Sequence, residues 1–323
     1  MLSIRDLRVT IGAYEIVHIE KLDVAQGRRV GLVGESGSGK SLTAMSIAGL
    51  QPREARLTGS IRFGDRELIG LTDDNLAAIR GRDIGFIPQD PTRALNPTTR
   101  IGKQVAEALR LNTDLEGRAV KARVLDLLRQ VQLPDVEAMV RRYPHQISGG
   151  QQQRILIAMA IAANPRLLIA DEPTTALDVT VQNEILRLIV SLSATHNMSL
   201  LFVSHELGVV RAVCDEIGVV YGGQLVEMAS SSEIVSRPRH RYTDALIGAN
   251  PGLPEGNELT EMMGRRFHVI EGSVPSVANF PDGCRFRDRC GFAIDRCTED
   301  PPVTGSDDHL LKCWNPVERT PGA

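Results

Sequence analysis

Gly34-Glu35-Ser36-Gly37-Ser38-Gly39-Lys40-Ser41 sets a lysine and a hydroxyl behind a glycine-rich turn, in the spacing G-x-x-x-x-G-K-[ST]. Glycines let backbone N–H groups turn inward without Cβ clashes. Those groups, with the start of the helix that follows, form a cradle for phosphate. Lys40 can reach the β- and γ-phosphates of a nucleotide, and the Ser41 hydroxyl can coordinate Mg²⁺. Gly34, Ser36, Gly37, Gly39, Lys40, Ser41 and Thr43 are the candidate contacts here. An ordinary glycine-rich turn is the bland alternative. An apolar run over residues 30–33 precedes the turn and helix formers follow it, which is the strand–loop–helix setting a phosphate loop needs.

Two further stretches carry chemistry. Leu167-Leu168-Ile169-Ala170-Asp171-Glu172-Pro173 is an apolar strand ending in two acids, and α/β folds place their sites at such strand ends. Asp171 is suited to hold Mg²⁺, directly or through water. Glu172 is suited to polarise an attacking water as general base. A polar cap on a core strand is the alternative reading. Ser148-Gly149-Gly150-Gln151 opens a helix and offers backbone N–H groups to an anion; alone it reads equally as a plain N-cap. Cys284, Cys290, Cys297 and Cys313 stand in the spacing C-x5-C-x6-C-x15-C. Four thiolates can close a tetrahedral zinc site or ligate an iron–sulfur cluster, and free thiols remain open. Cys214 reads as a buried apolar residue.

The elements that must position these groups follow from pattern. Strands are expected at 2–10, 16–24, 29–33, 60–63, 83–87, 167–170 and 200–203. A helix is expected at 72–79, where a threonine and two acids open it. Residues 98–164 show helical spacing through Val105, Leu109, Val120, Val124, Leu127, Leu128 and Val131, punctuated by Pro134 and Pro144. This predicts an insert of three or four short helices. Helices are further expected at 179–193, 207–213 and 242–247. Strands at 217–221 and 225–228 flank Gly222-Gly223, a hairpin signal. Alternating strands and helices predict an α/β sheet with a substantial parallel part. The cluster Arg237-Pro238-Arg239-His240-Arg241 reads as solvated surface. From Asn250 prolines and glycines recur and periodicity fades, which predicts a boundary near residue 250.

With 323 residues, 42% hydrophobic and 24% charged, the chain has ample material for a core. A net charge of −3 argues against a general nucleic-acid binder. The start, MLSIRDLRVT, has no signal-peptide h-region. The longest apolar run, 155–163, is shorter than the ~20 residues of a spanning helix. The expectation is a cytosolic chain that does not cross a membrane itself, and in which structural disulfides are not expected.

In motif order, residues 1–250 resemble the ATP-binding subunits of ABC transporters. Gly34 to Ser41 resembles Walker A, and Leu167 to Glu172 resembles Walker B. Ile147 to Gln151, ISGGQ, is similar to the LSGGQ signature with Ile for Leu. Gln89 resembles the Q-loop glutamine, which touches Mg²⁺ and faces the membrane subunits. Ala176-Leu177-Asp178 is similar to the D-loop, His205 to the switch histidine at the γ-phosphate, and Tyr14 to the aromatic that stacks on adenine. The resemblance implies an α/β P-loop NTPase of ABC type at 1–250, with a helical subdomain at about 98–164. A small Cys-rich C-terminal extension at 251–323 would follow. It further implies that two such domains meet head to tail, with ATP between one Walker A and the other SGGQ turn.

Asp90-Pro91, Leu95-Asn96-Pro97, Arg142-Tyr143-Pro144-His145-Gln146 and the tail, with Val274-Pro275-Ser276 and Gly283-Cys284-Arg285-Phe286, resemble the peptide/nickel importer branch. That branch implies a [4Fe–4S] cluster on the four tail cysteines, zinc being the alternative. The expected function is ATP hydrolysis that energises import of di- or oligopeptides. Implied partners are a second ABC ATPase subunit, two transmembrane permeases and an extracytoplasmic substrate-binding protein. The implied location is the cytoplasmic face of the inner membrane. Import of nickel or another small solute, and a soluble regulator outside transport, are the competing readings.

Overall fold

The computed structural model describes residues 1–175, 177–249, 270–306 and 308–318. The expected boundary at 250 and the Ala176 position of the D-loop lie outside the described residues. Twelve strands are described: β1 Leu2–Ile11, β2 Tyr14–Val24, β3 Arg29–Val33, β4 Ala55–Phe63, β5 Arg66–Glu67, β6 Ile84–Ile87, β7 Leu167–Asp171, β8 Ser199–Ser204, β9 Glu216–Tyr221, β10 Gln224–Ser230, β11 Thr304–Ser306 and β12 His309–Leu311. The chain divides into two compact units. One comprises Met1–Asp23, Arg29–Ile69 and Val203–Ala323; the other comprises Val24–Arg28 and Gly70–Phe202.

In the first unit the strands run in the order β5-β4-β1-β2-β10-β9-β3. β3 and β9 are parallel, with Val30 opposite Glu216, and β1 and β4 are antiparallel. β3 is buried almost throughout, as a strand covered on both faces must be. β4 begins at Ala55, five residues earlier than its pattern indicates, because its extra length pairs with Arg8 to Ile11 beyond an irregularity in β1. Cross-strand pairing supplies there what local propensity does not. Gly222 and Gly223 turn β9 into β10 with φ of 55° and 81°, as a two-residue hairpin demands of both central positions.

The C-terminal residues are stitched into this unit. β12 adds antiparallel to β10, with Glu227 opposite Leu311 and Ala229 opposite His309, and β11 pairs with β12. Phe286 is buried, edge-on to Tyr221 at 5.1 Å and tilted against Tyr242 at 5.3 Å. Lys312 is buried and paired with Asp300 at 2.8 Å and with Glu20. In the basic cluster before the tail, Arg237 and Arg239 are exposed as expected of solvated surface, while His240 is buried and Arg241 lies over the Phe292 ring at 4.2 Å. Burial pushes the His240 imidazole down to about 4, so it sits neutral.

In the second unit β6 and β7 are parallel, with Ile84 opposite Leu167. β7 is wholly buried. The insert expected at 98–164 contains the helices Ile101–Asn112, Gly117–Gln130, Val136–Met139 and Gly149–Ala160. Ile101, Val105 and Leu109 form one buried stripe and Val120, Val124, Leu127 and Leu128 another, at the spacing of a single helix face. Arg154 is buried in the same unit; it donates to Val131 O and pairs with Glu184 at 2.8 Å. Among the described residues no helix is long and apolar enough to cross a membrane.

Candidate functional site

The phosphate loop leaves β3 at Gly34 and enters the helix Lys40–Ala48. The β9–β10 turn props it from beneath. Gly223 N donates to Ser38 O at 2.9 Å, and His18 N donates to Gly223 O at 2.8 Å. A Cβ on Gly34 would stand 2.0 Å from Val220 O, so backbone runs where a side chain cannot. Gly39 caps the helix in a left-handed conformation without any side-chain cap, and the first turn has no acid. The helix N-terminus therefore keeps its positive end for an anion. Lys40 is buried, its Nζ donating to Gly34 O at 2.8 Å, Glu35 O at 2.9 Å and Ser38 Oγ at 3.3 Å. Ser36 and Gly37 are exposed; Gly39 and Ser41 are half-buried. Thr43 is buried, with its hydroxyl on Gly39 O at 3.0 Å. Tyr14 opens β2 with its ring half exposed, and His205 follows β8, exposed. Glycine turns, an uncapped helix start and a buried lysine fit a nucleotide triphosphate.

The second unit holds the acids. Asp171 ends β7, buried. Glu172 has a left-handed φ of 45°, a conformation that costs a non-glycine residue energy and recurs at functional sites. Gln89 Nε2 donates to Glu172 Oε2 at 3.1 Å, and Thr175 Oγ1 donates to the same oxygen at 3.0 Å. The Gln89 amide and Asp171 carboxylate of this unit are hard oxygen donors of the kind Mg²⁺ takes, as the Ser41 hydroxyl of the first unit is. Ser148 and Gln151 form a capping box: Ser148 Oγ accepts from Gln151 N at 3.3 Å and Gln151 Oε1 accepts from Ser148 N at 3.1 Å. Gly149 is exposed and Gly150 half-buried. A Cβ on Gly150 would stand 2.7 Å from Val181 Cγ1, so the signature's second glycine also lets the helix Val179–Thr195 approach. Asp178 caps that helix, accepting from Val181 N at 3.0 Å.

The family model for "ABC transporter" matches residues 17–175. The model for "Oligopeptide/dipeptide transporter, C-terminal region" matches residues 226–297. The chain is 43% identical to a putative peptide import ATP-binding protein of Brucella melitensis, over 92% of this chain and 88% of that one. The chain belongs to the ABC transporter family. Within this family it is also 38% identical to the oligopeptide transport ATP-binding protein OppD of Salmonella typhimurium, over 98% of this chain and 94% of that one. The ABC cassette MJ0796, in a dimeric post-hydrolysis state bound to ADP and Pi, matches with a TM-score of 0.63 at 28% identity, covering 72% of this chain and 99% of that one. The ABC transporter protein cbiO1 of Clostridium perfringens shares the fold, with a TM-score of 0.64 at 22% identity.

One expectation drawn from the family is corrected. The [4Fe–4S] cluster on Cys284, Cys290, Cys297 and Cys313, and its zinc alternative, lack support. Among the described residues no group of three or more His, Cys, Asp or Glu side chains is placed to hold a metal ion. All five cysteines are free thiols. The four tail cysteines line one pocket with Phe286, Phe292 and Trp314. Burial pushes Cys284 up to about 12 and also raises Cys290 and Cys313, which keeps those sulfurs protonated at neutral pH. Strand addition to β10 and the burial of Phe286 and Lys312 hold the tail.

Sequence reasoning missed the loop's outer partners. Glu35 N donates to Tyr242 OH at 3.0 Å, and the Glu35 carboxylate pairs with Arg289 at 3.0 Å. Glu35 fills a variable position of the motif, so the spacing carries no signal for either partner.

Proposed function

We propose that this chain hydrolyses ATP and so energises peptide import through a membrane-embedded ABC transporter. The observation that carries the reading is the pairing, in one chain, of the ABC transporter match with the oligopeptide/dipeptide transporter C-terminal match. Lys40, Ser41 and the loop amides bind the phosphates; Tyr14 stacks on the base. Glu172 orients and deprotonates the attacking water, with His205 sensing the γ-phosphate. Ser41, Gln89 and Asp171 would hold Mg²⁺, which would supply positive charge to offset that of the phosphates. Ser148, Gly149, Gly150 and Gln151 present helix-start amides to the ATP of a second cassette, and Asp178 stands beside that contact.

A γ-phosphate shared by two cassettes closes the pair through charge-assisted bonds, and hydrolysis removes it. That cycle works two membrane permeases, to which a binding protein delivers peptide from outside. The chain then sits peripherally at the cytoplasmic face of the inner membrane. The OppD likeness supports peptides over nickel.

The test is the assembled complex purified from its native membrane and reconstituted. ATPase activity should rise with di- or oligopeptide plus the co-purified binding protein, and should not rise with nickel. Stimulation by nickel alone would reassign the cargo.

A further inference from the structure

Two half-buried arginines of the tail end on the phosphate loop and its supports. Arg289, 7% exposed at its side chain, sets Nη1 3.0 and 3.2 Å from the two carboxylate oxygens of Glu35. Its Nε donates to Glu271 O at 2.9 Å and its Nη2 to Gly272 O at 3.1 Å. The guanidinium also lies over the Tyr221 ring at 5.7 Å. Arg285 donates to Gly222 O and pairs with Glu15 at 3.0 Å. Gly222 precedes the Gly223 N–H that holds Ser38 O, and Glu15 follows Tyr14.

Glu35 is where this network meets chemistry. Its carbonyl accepts from Lys40 Nζ at 2.9 Å and its N–H donates to Tyr242 OH. Its side chain puts a negative charge into a loop built to receive a highly negative triphosphate. Like charges at such range oppose binding, the more so away from bulk water. A guanidinium that never deprotonates, fixed by carbonyls on its other donors, cancels that charge and turns it aside.

We propose that Arg289 is a positioning residue for the nucleotide: it neutralises and orients Glu35, which makes the C-terminal segment a working part of the ATP site. The proposal rests on the reading of Lys40 and its loop as the ATP site. It differs from a salt bridge that only fastens the tail, and the two are separable.

The experiment measures ATP affinity of the full chain by calorimetry at two salt concentrations. Arg289→Ala should weaken ATP binding about tenfold, the charge of Glu35 then being uncompensated. That defect should shrink at high salt. Arg289→Lys should fall between the two. Adding Glu35→Gln to Arg289→Ala should restore affinity to within about twofold of wild type, because no charge is left to offset. Unchanged affinity in Arg289→Ala would overturn the proposal. So would a loss that Glu35→Gln does not repair, the mark of a tail that has merely come loose. If Arg289→Ala does not fold, Glu35→Gln alone decides: it should bind ATP at least as tightly as wild type, and weaker binding refutes the idea. A wild-type chain that binds no ATP removes the nucleotide reading itself; a binding wild type with an indifferent Arg289→Ala removes only the role of Arg289.

Discussion

Gln89 Nε2 donates to Glu172 Oε2 at 3.1 Å, joining residues 83 positions apart. Thr175 adds a second donor to the same oxygen. The carboxylate is thereby fixed in orientation before any substrate arrives, as the general-base role proposed for Glu172 requires. The left-handed backbone at Glu172 is held by the same two contacts and by Thr175 N on Glu172 O.

Glu172→Gln should keep this arrangement, since an amide oxygen accepts both bonds, while removing the proton acceptor. Steady-state ATP hydrolysis should fall by about 10²–10⁴-fold, with ATP affinity retained. Turnover near wild type would show that another group activates the water.

Lys40→Ala should fail one step earlier. The ammonium is the main side-chain counter-charge to the triphosphate. It also ties Gly34 O and Glu35 O together. Calorimetry should detect no ATP binding at concentrations that saturate wild type.

Gly150→Ala should destabilise the fold by about 1–3 kcal/mol, because the new Cβ overpacks against a stiff β-branched neighbour. Val181→Ala in the same chain should return most of the loss in thermal unfolding, Val181 Cγ1 being the atom in the way. Unchanged stability in Gly150→Ala would place the glycine's role wholly in ligand contact.

Phe286→Ala should cost about 3–5 kcal/mol, the usual range for truncating a buried aromatic. Phe286 is 3% exposed between Tyr221 and Tyr242. Limited proteolysis should then cut the tail first. A tail as resistant as wild type would mean that β12 and Lys312 suffice to hold it.

Docking of β12 should depend on pH. His309 Nε2 lies 2.7 Å from Glu227 Oε1, and its Nδ1 lies 3.3 Å from Glu233 Oε2. The hydrogen bond to Glu227 raises the His309 pKa above its ordinary value, against desolvation and the nearby Arg239 charge. A raised folded-state pKa gives stability that is whole below the unfolded value of about 6.5 and is lost as pH rises through the folded value. Hydrogen exchange at residues 309–311 should therefore quicken more between pH 6 and 9 than base catalysis explains, and His309→Gln should remove the excess.

The phosphate loop, the two acids closing β7, the Gly222-Gly223 hairpin and the helices of 98–164 were legible because each is written within a few neighbouring residues. Strand period, helix period and turn chemistry act over that range. The C-terminal segment was not legible in the same way. β12 is three residues long and has no alternation to read; it is a strand because β10 leaves Glu227 to Ala229 open to it. The cysteine spacing suggested a metal, yet spacing along the chain does not state whether four sulfurs converge in a geometry that holds one.

The sequence by itself determined the chemistry of the chain. Gly34 to Ser41, Asp171 and Glu172 are short-range patterns, and the roles proposed for them follow from residue type and order. Only the tertiary structure decided who stands behind them: Gln89 on Glu172, Arg289 and Tyr242 on Glu35, and the Gly223 turn under Ser38. Those pairs are 83, 254, 207 and about 185 positions apart. Contacts at such separations are fixed by how the strands pair and what the core buries, and no local pattern in the chain encodes them.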